Sequence, residues 1–281
     1  MAINIYRKAL ITGKALITEA TYDEIDYNYS QCLSVYLRKK SYKGNCVRLR
    51  RSVDNAEMDF GFVDGYVDEA SIIAWKGISS LWIVKWYDQS GKGWDAIQLI
   101  TIKQPEFLKF AGVLNEKWST GYNGFTRYLR SGFKPSNDVS MFVSIKPSNT
   151  NSMLRWQIDG SGTTPYLVYT IANGKFVELN NSGVNGIESG LTLSQNQIGS
   201  AIVKIGEVNG AKTYINGVVN DSQTWNSAYA TQSDLTIGAF HEVQSSYFLG
   251  FMSDVLIFDE ALTDFQAKRL NDELISNYNI S

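Results

Sequence analysis

Short runs rich in Val, Ile, Tyr and Phe follow one another along this chain, each ended by Gly, Asn, Ser or Pro, and that serial pattern restricts the fold more than any other feature. Leu81-Trp-Ile-Val-Lys-Trp-Tyr87 reads as a buried strand, and Val139-Ser-Met-Phe-Val-Ser-Ile145 as another, stopped by Pro147. Pro165-Tyr-Leu-Val-Tyr-Thr-Ile171 runs into Asn173-Gly174, and Lys212-Thr-Tyr-Ile215 into Asn216-Gly217. Asn-Gly readily adopts the two positive-φ positions of a tight hairpin turn. Ala201-Ile-Val-Lys-Ile205, Leu235-Thr-Ile-Gly238 and Phe251-Met-Ser-Asp-Val-Leu-Ile-Phe258 continue the series. Asn45-Cys-Val-Arg-Leu-Arg-Arg51 alternates apolar and basic residues, as a strand with one face in water does. Ser34-Val-Tyr-Leu-Arg-Lys39 fits a short helix or a strand. The series predicts an all-β sandwich or jelly roll.

The C-terminus breaks the pattern. Thr263-Asp-Phe-Gln266 has the form of a capping box, with a hydroxyl for the first-turn backbone and Gln three residues on. Leu270, Leu274 and Tyr278 follow at four-residue spacing and make one apolar stripe. The spacing predicts a single helix over 263–277, packed on the sandwich.

Hydrophobic residues make up 44% of the 281 and charged residues 19%, which suits a packed core and not a disordered chain. The net charge of −2 creates no basic field, so neither nucleic acid nor anionic lipid is an expected partner. No apolar run reaches the roughly 18 residues of a membrane span, and the start, Met1-Ala-Ile-Asn-Ile-Tyr-Arg-Lys8, lacks the apolar segment of a secretory signal. Cys32 and Cys46 leave a disulfide open, but reduced thiols are the expectation, because a chain this large needs no staple.

Residues 1–30 stand apart from the rest. Lys8-Ala-Leu-Ile-Thr12 is echoed by Lys14-Ala-Leu-Ile-Thr18, and an acidic, aromatic run follows from Tyr22 to Tyr29. The segment reads either as an edge strand and loop or as an arm that docks on a neighbouring subunit. Residues 31–281 read as one domain, since no Pro/Gly/Ser-rich linker divides them.

Two long strings resemble known families. Val47-Arg-Leu-Arg-Arg-Ser-Val-Asp-Asn-Ala-Glu-Met-Asp-Phe-Gly-Phe62 and Trp86-Tyr-Asp-Gln-Ser-Gly-Lys-Gly-Trp-Asp-Ala96 resemble the opening of the arabinofuranosidase B catalytic domain, and also a module widespread in phage tail and virion proteins. Thr213-Tyr-Ile-Asn-Gly217, Leu235-Thr-Ile-Gly238 and Gly250-Phe-Met-Ser-Asp-Val-Leu-Ile-Phe-Asp-Glu-Ala-Leu-Thr263 look like the closing half of laminin-G-like, concanavalin A-like domains. The resemblance implies a concanavalin A-like two-sheet jelly roll.

It also implies where a glycosidase would keep its two carboxyl groups. The family's nucleophilic Glu follows an apolar strand, and the matching position here is Ala172. The family's acid/base Asp would fall within Thr236-Ile-Gly-Ala-Phe-His-Glu242, which has no Asp. With both groups missing, the expectation is a protein that is not an enzyme. The one histidine, His241, has no Gly-x-Ser-x-Gly elbow to support a triad, and one His with two separated Cys makes no usual zinc site. Gly160-Ser-Gly162 is not followed by the Lys-Ser/Thr of a phosphate loop and reads as a turn. No cofactor is expected. Ca²⁺, which related lectin-like domains bind through Asp and Asn oxygens, has Asp159, Asn173 and Asp254 as its candidate ligands.

Exposed aromatic rings stack on sugars, and Trp94, Trp118, Trp156 and Trp225 all lie beside loop residues, although core packing is the default for any Trp. The carbohydrate-binding candidates are Trp156 and Trp225, which flank the region of the family's cleft, with Phe240 and His241 in the same region. Asp88 and Asp95 read as turn carboxylates that bond backbone N–H groups. Arg48, Arg50 and Arg51 with Glu57 and Asp59 read as an ion-pair set across neighbouring strands. The functional expectation is a non-catalytic phage virion protein (capsid decoration, head fibre or tail-associated) at the particle surface, with a glycoside hydrolase of arabinofuranosidase type and a bacterial carbohydrate-binding adhesion module as the alternatives. It would be a homo-oligomer in contact with other virion subunits, with a lectin-like domain facing host or environmental glycans.

Overall fold

The computed structural model describes residues 27–134, 138–148, 166–168, 178–180, 197–203, 207–225, 234–239 and 247–280. The first strands are β1 (Gln31–Ser34), β2 (Val47–Arg51), β3 (Glu57–Phe60), β4 (Phe62–Val63) and β5 (Tyr66–Val67), followed by helix α1 (Glu69–Lys76). Then come β6 (Leu81–Trp86), β7 (Ala96–Ile97), β8 (Glu106–Leu108), β9 (Ser119–Asn123), β10 (Leu129–Ser131) and β11 (Val139–Pro147). The second half holds β12 (Tyr166–Val168), β13 (Glu178–Asn180), β14 (Gln197–Val203), β15 (Glu207–Ile215), β16 (Val218–Trp225), β17 (Leu235–Ile237) and β18 (Leu249–Phe258), and ends in helix α2 (Asp264–Tyr278).

Among the described residues, fourteen strands form one antiparallel sheet, β4 pairs with β5, and β12 pairs with β13. β18 is its pivot. β11 pairs along one side of it, while on the other side β9 takes residues 249–252 and β1 takes residues 254–257. The sandwich is therefore a single sheet curled over its own core, with its two layers joined by hydrogen bonds. A bulge between Ser144 and Ile145 breaks the β11–β18 register next to Asp254, the kind of irregularity that bends a strand and increases its twist.

Side-chain alternation sorts the apolar runs into two cores. Met141, Val143 and Ile145 of β11 and Val255 and Ile257 of β18 point into the inner core with Leu33, Leu49, Ile83 and Trp86. Their sequence neighbours Phe142, Leu256 and Phe258 point the other way, into an outer core closed by Leu270, Leu274 and Tyr278 of α2. These runs are near-continuously hydrophobic because both faces of the central strands are covered. Each large side chain so buried contributes about 1.5–3 kcal/mol of transfer free energy.

The predicted C-terminal helix forms with its full capping box: Gln266 N–H donates to Thr263 Oγ1, and Thr263 N–H donates to Gln266 Oε1. Asn216 and Gly217 take φ of 48° and 77° and make the expected β15–β16 turn. Helix α1 is an addition to the single expected helix. It is capped by Asp68, which accepts from Ser71 N–H, but buries only Ile72, too little for an apolar stripe in the sequence. Residues 34–39, left open between helix and strand, are the end of β1 and the coil after it.

Cys32 and Cys46 are both buried free thiols. Residues 27–30 pack on the domain: Tyr27 and Tyr29 join the outer core, and Ser30 N–H donates to Ile257 O at 2.7 Å. The Asn173-Gly174 turn lies outside the described residues.

Candidate functional site

The loop after β6 is organised around one carboxylate. Asp88 is 3% exposed. Its Oδ1 accepts from the N–H groups of Cys32 at 2.8 Å and Ser90 at 2.9 Å, and its Oδ2 accepts from Trp94 N–H at 3.0 Å and Ser90 Oγ–H at 2.5 Å. Asp95 Oδ1 accepts from Asp88 N–H at 2.9 Å, and its Oδ2 pairs with Lys85 Nζ at 3.2 Å. Asp88 makes an Asx-turn through Ser90 N–H, and Asp95 instead bonds a backbone N–H seven residues earlier, so both carboxylates serve the backbone of this loop. Gln89, fully buried, ties the same loop to the segment after β1: its amide donates to Ser34 O and Tyr36 O and accepts from Arg38 N–H.

One result of this bracing is the placement of Trp94. Its N–H is held by Asp88, and its carbonyl accepts from Gln31 Nε2 at 2.5 Å and Ser131 Oγ at 3.1 Å. All three supports are buried, yet the Trp94 side chain leaves the residue 37% exposed. Trp118, another candidate, is 3% exposed and stacked on Phe107 with centroids 4.9 Å apart, so it belongs to the core. No local signal marks Gln31 and Ser131 as supports, because they lie 63 and 37 residues from Trp94.

Beside this loop, β2 and β3 carry a charged cluster. Arg48 grips Asp59 with Nε at 2.9 Å and Nη2 at 2.7 Å, and Tyr87 Oη donates to Asp59 Oδ1 at 2.7 Å. The Arg48 bond holds the Asp59 carboxyl below its ordinary range. Burial, reinforced by Asp59, pushes the Tyr87 phenol up to about 12. The expected ion-pair set is thus present at Arg48, but Arg51 pairs with Asp54 inside the turn, and Arg50 bonds the neutral Gln104 and Asn55. Asp54, Asp68 and Asp264 are shifted downward like Asp59, so each is a carboxylate held ionised by hydrogen-bond donors.

Asp254 corrects the Ca²⁺ expectation at that residue. Its side chain is 0% exposed, and its Oδ1 binds Arg38 Nη2 at 2.8 Å and accepts a short bond from Ser34 Oγ. Arg38 also reaches Glu273 of α2 at 2.8 Å. Oδ1 is committed to a guanidinium, whose charge opposes a cation at this carboxylate.

Trp156, Ala172, Phe240, His241, Asp159 and Asn173 lie outside the described residues. Trp225 ends β16 opposite Glu207. Among the candidate tryptophans with described side chains, Trp94 stands at the surface and Trp118 in the core.

The fold compares as follows with known proteins. Residues 123–267, just over half of the chain, match the family model described as the concanavalin A-like lectin/glucanases superfamily. No curated protein matches the chain. A solved GH54 α-L-arabinofuranosidase soaked with a cyclic sulfate inhibitor is similar with a TM-score of 0.69 and 10% identity, covering 89% of this chain and 63% of that one. An arabinofuranosidase complexed with arabinofuranosyl-α-1,2-xylobiose is similar with a TM-score of 0.65 and 11% identity, covering 89% of this chain and 62% of that one. This chain thus spans less than two thirds of the length of either. The expectation of a non-enzyme is corrected by this comparison: both of these structures, similar across 89% of the chain, are arabinofuranosidases. Of its two grounds, Ala172 lies outside the described residues, as do residues 240–242 of the segment without an Asp. At such identity the likeness establishes architecture, and the family match establishes membership: this chain belongs to the concanavalin A-like lectin/glucanase superfamily.

Proposed function

We propose that this chain is a carbohydrate-recognising protein carried on the surface of a phage particle. The carbohydrate reading rests on one observation above others, the sharing of its curled sheet with α-L-arabinofuranosidases over 89% of its length. The braced, exposed Trp94 is consistent with it. The particle placement draws on the resemblance of the 47–62 and 86–96 strings to modules of phage tail and virion proteins. Other virion subunits are then its protein partners, and particle symmetry favours a homo-oligomer. Glycan-array binding by the full chain tests the first part, and mass spectrometry of purified particles tests the second. A chain that binds no glycan, or whose peptides are missing from particles, sinks the corresponding half.

The same comparison favours a second reading, hydrolysis of an arabinofuranoside by this chain. It requires two carboxyl groups about 5–10 Å apart in one cleft, one of them held protonated. Release of nitrophenol from 4-nitrophenyl α-L-arabinofuranoside, above a boiled control, supports it; no nitrophenol from that substrate and no arabinose from arabinoxylan fragments rejects it.

A further inference from the structure

We propose that the indole of Trp94 is a stacking platform for the apolar C–H face of a neutral sugar ring. The inference rests on the carbohydrate reading above and gives it a contact residue. Trp75, Trp82, Trp86, Trp94 and Trp118 are the tryptophans with described surroundings, and four are already engaged. Trp86 and Trp118 are buried at 0% and 3% exposure. Trp75 is covered by the Arg51 guanidinium at 4.9 Å, and Trp82 by those of Arg127 at 4.6 Å and Arg50 at 5.9 Å.

Trp94 differs in three ways. It is exposed, its backbone is fixed on both sides, and its neighbour in space is a glycine. The Asp88, Gln31 and Ser131 bonds hold its peptide groups from within the protein, so a ligand meets a platform already in position and little ordering opposes binding. Phe133 meets the ring at 6.2 Å and 67°. Gly132 lies against the benzene half of the indole, where an added Cβ would be in van der Waals contact at 3.6 Å.

The surroundings select the ligand class. Lys85 is paired with Asp95, and the charge of Lys92 offsets that of Asp88, which is enclosed by its four donors, so the loop carries no net charge to attract an acidic sugar. Stacking over an indole removes apolar surface from water on both partners, which makes the ring's loss costly to binding.

The test uses the full chain as wild type, Trp94→Ala and Trp94→Phe on an array of neutral glycans that includes arabinofuranosyl-xylobiose. The best-bound glycan is then titrated while the Trp94 indole N–H signal is followed by NMR. We expect Trp94→Ala to bind at least about tenfold more weakly, Trp94→Phe to retain most affinity, and the indole signal to move with saturation. Circular dichroism melts confirm that both variants fold, and an unfolded Trp94→Ala leaves the decision to Trp94→Phe and the indole signal. If wild type binds and Trp94→Ala binds equally well, or the indole signal stays fixed, the platform is overturned and the carbohydrate reading stands. If wild type binds nothing on the array, both are overturned.

Discussion

Arg38 and Asp254 form an ion pair at 2.8 Å with side chains 1% and 0% exposed, and they come from opposite ends of the chain. The pair is fastened on both sides. Ser34 bonds to both partners, and Glu273 of α2 takes a second Arg38 nitrogen. A single buried charge left behind is far more costly than the pair, because neither water nor a partner then solvates it. Arg38→Met and Asp254→Asn are each expected to destabilise the fold by about 3–5 kcal/mol. An Arg38→Met/Asp254→Leu double variant should recover much of that loss, as seen in urea unfolding midpoints.

Asp59 makes a pH-dependent contribution. Its folded pKa lies below the unfolded value, chiefly through Arg48, so the stabilisation is present above about pH 4 and is lost as pH falls through the folded value. Both side chains are partly exposed, at 40% and 30%, so the effect is on the order of 0.5–1 kcal/mol. Asp59→Asn should unfold at lower urea than wild type at pH 7, and the two curves should converge near pH 2.

The Asp88 hub is expected to be among the most sensitive surface-loop positions. Asp88→Ala strips an acceptor from three backbone N–H groups and the Ser90 hydroxyl at a site only 3% exposed. Each orphaned buried donor costs about 1–3 kcal/mol. The melting temperature should drop by more than for Asp95→Ala, and acrylamide should quench Trp94 more readily once its N–H is released.

The thiols should be silent in the folded protein. Burial pushes Cys32 and Cys46 well above the ordinary thiol range, and the reactive species is the thiolate. Ellman's reagent should detect no fast-reacting thiol in native protein and two per chain in guanidinium. One or none after unfolding would contradict the reduced state.

Helix α2 should depend on its stripe more than on its cap. Thr263→Ala removes the capping hydroxyl and is expected to cost about 1 kcal/mol. Leu270→Ala opens a cavity in the outer core and is expected to cost about 2–5 kcal/mol. Thermal unfolding monitored by circular dichroism orders the two.

Local chemistry was legible before any coordinates. Thr263 and Gln266 announced α2, Asn216 and Gly217 announced the β15–β16 turn, and Asp88 announced an Asx-turn, because each signal is complete within a few residues. Helix α1 was missed because its one buried residue, Ile72, leaves no periodic trace. Asp254 was misjudged as a calcium ligand because its true partner, Arg38, is 216 residues away.

What the sequence determined by itself, then, was the alternation that makes the strands, the turns that end them and the helix that closes the outer core. Periodicity and turn chemistry act over short distances along the chain, so they survive in the one-dimensional string. Only the tertiary structure decided that Gln31, Asp88 and Ser131 would converge on Trp94, and that four other tryptophans would be buried or capped. Those outcomes depend on how the sheet closes, which brings residues 63 to 100 positions apart into hydrogen-bond distance. Solvent exposure of a side chain is a property of that closure, and no residue carries it alone.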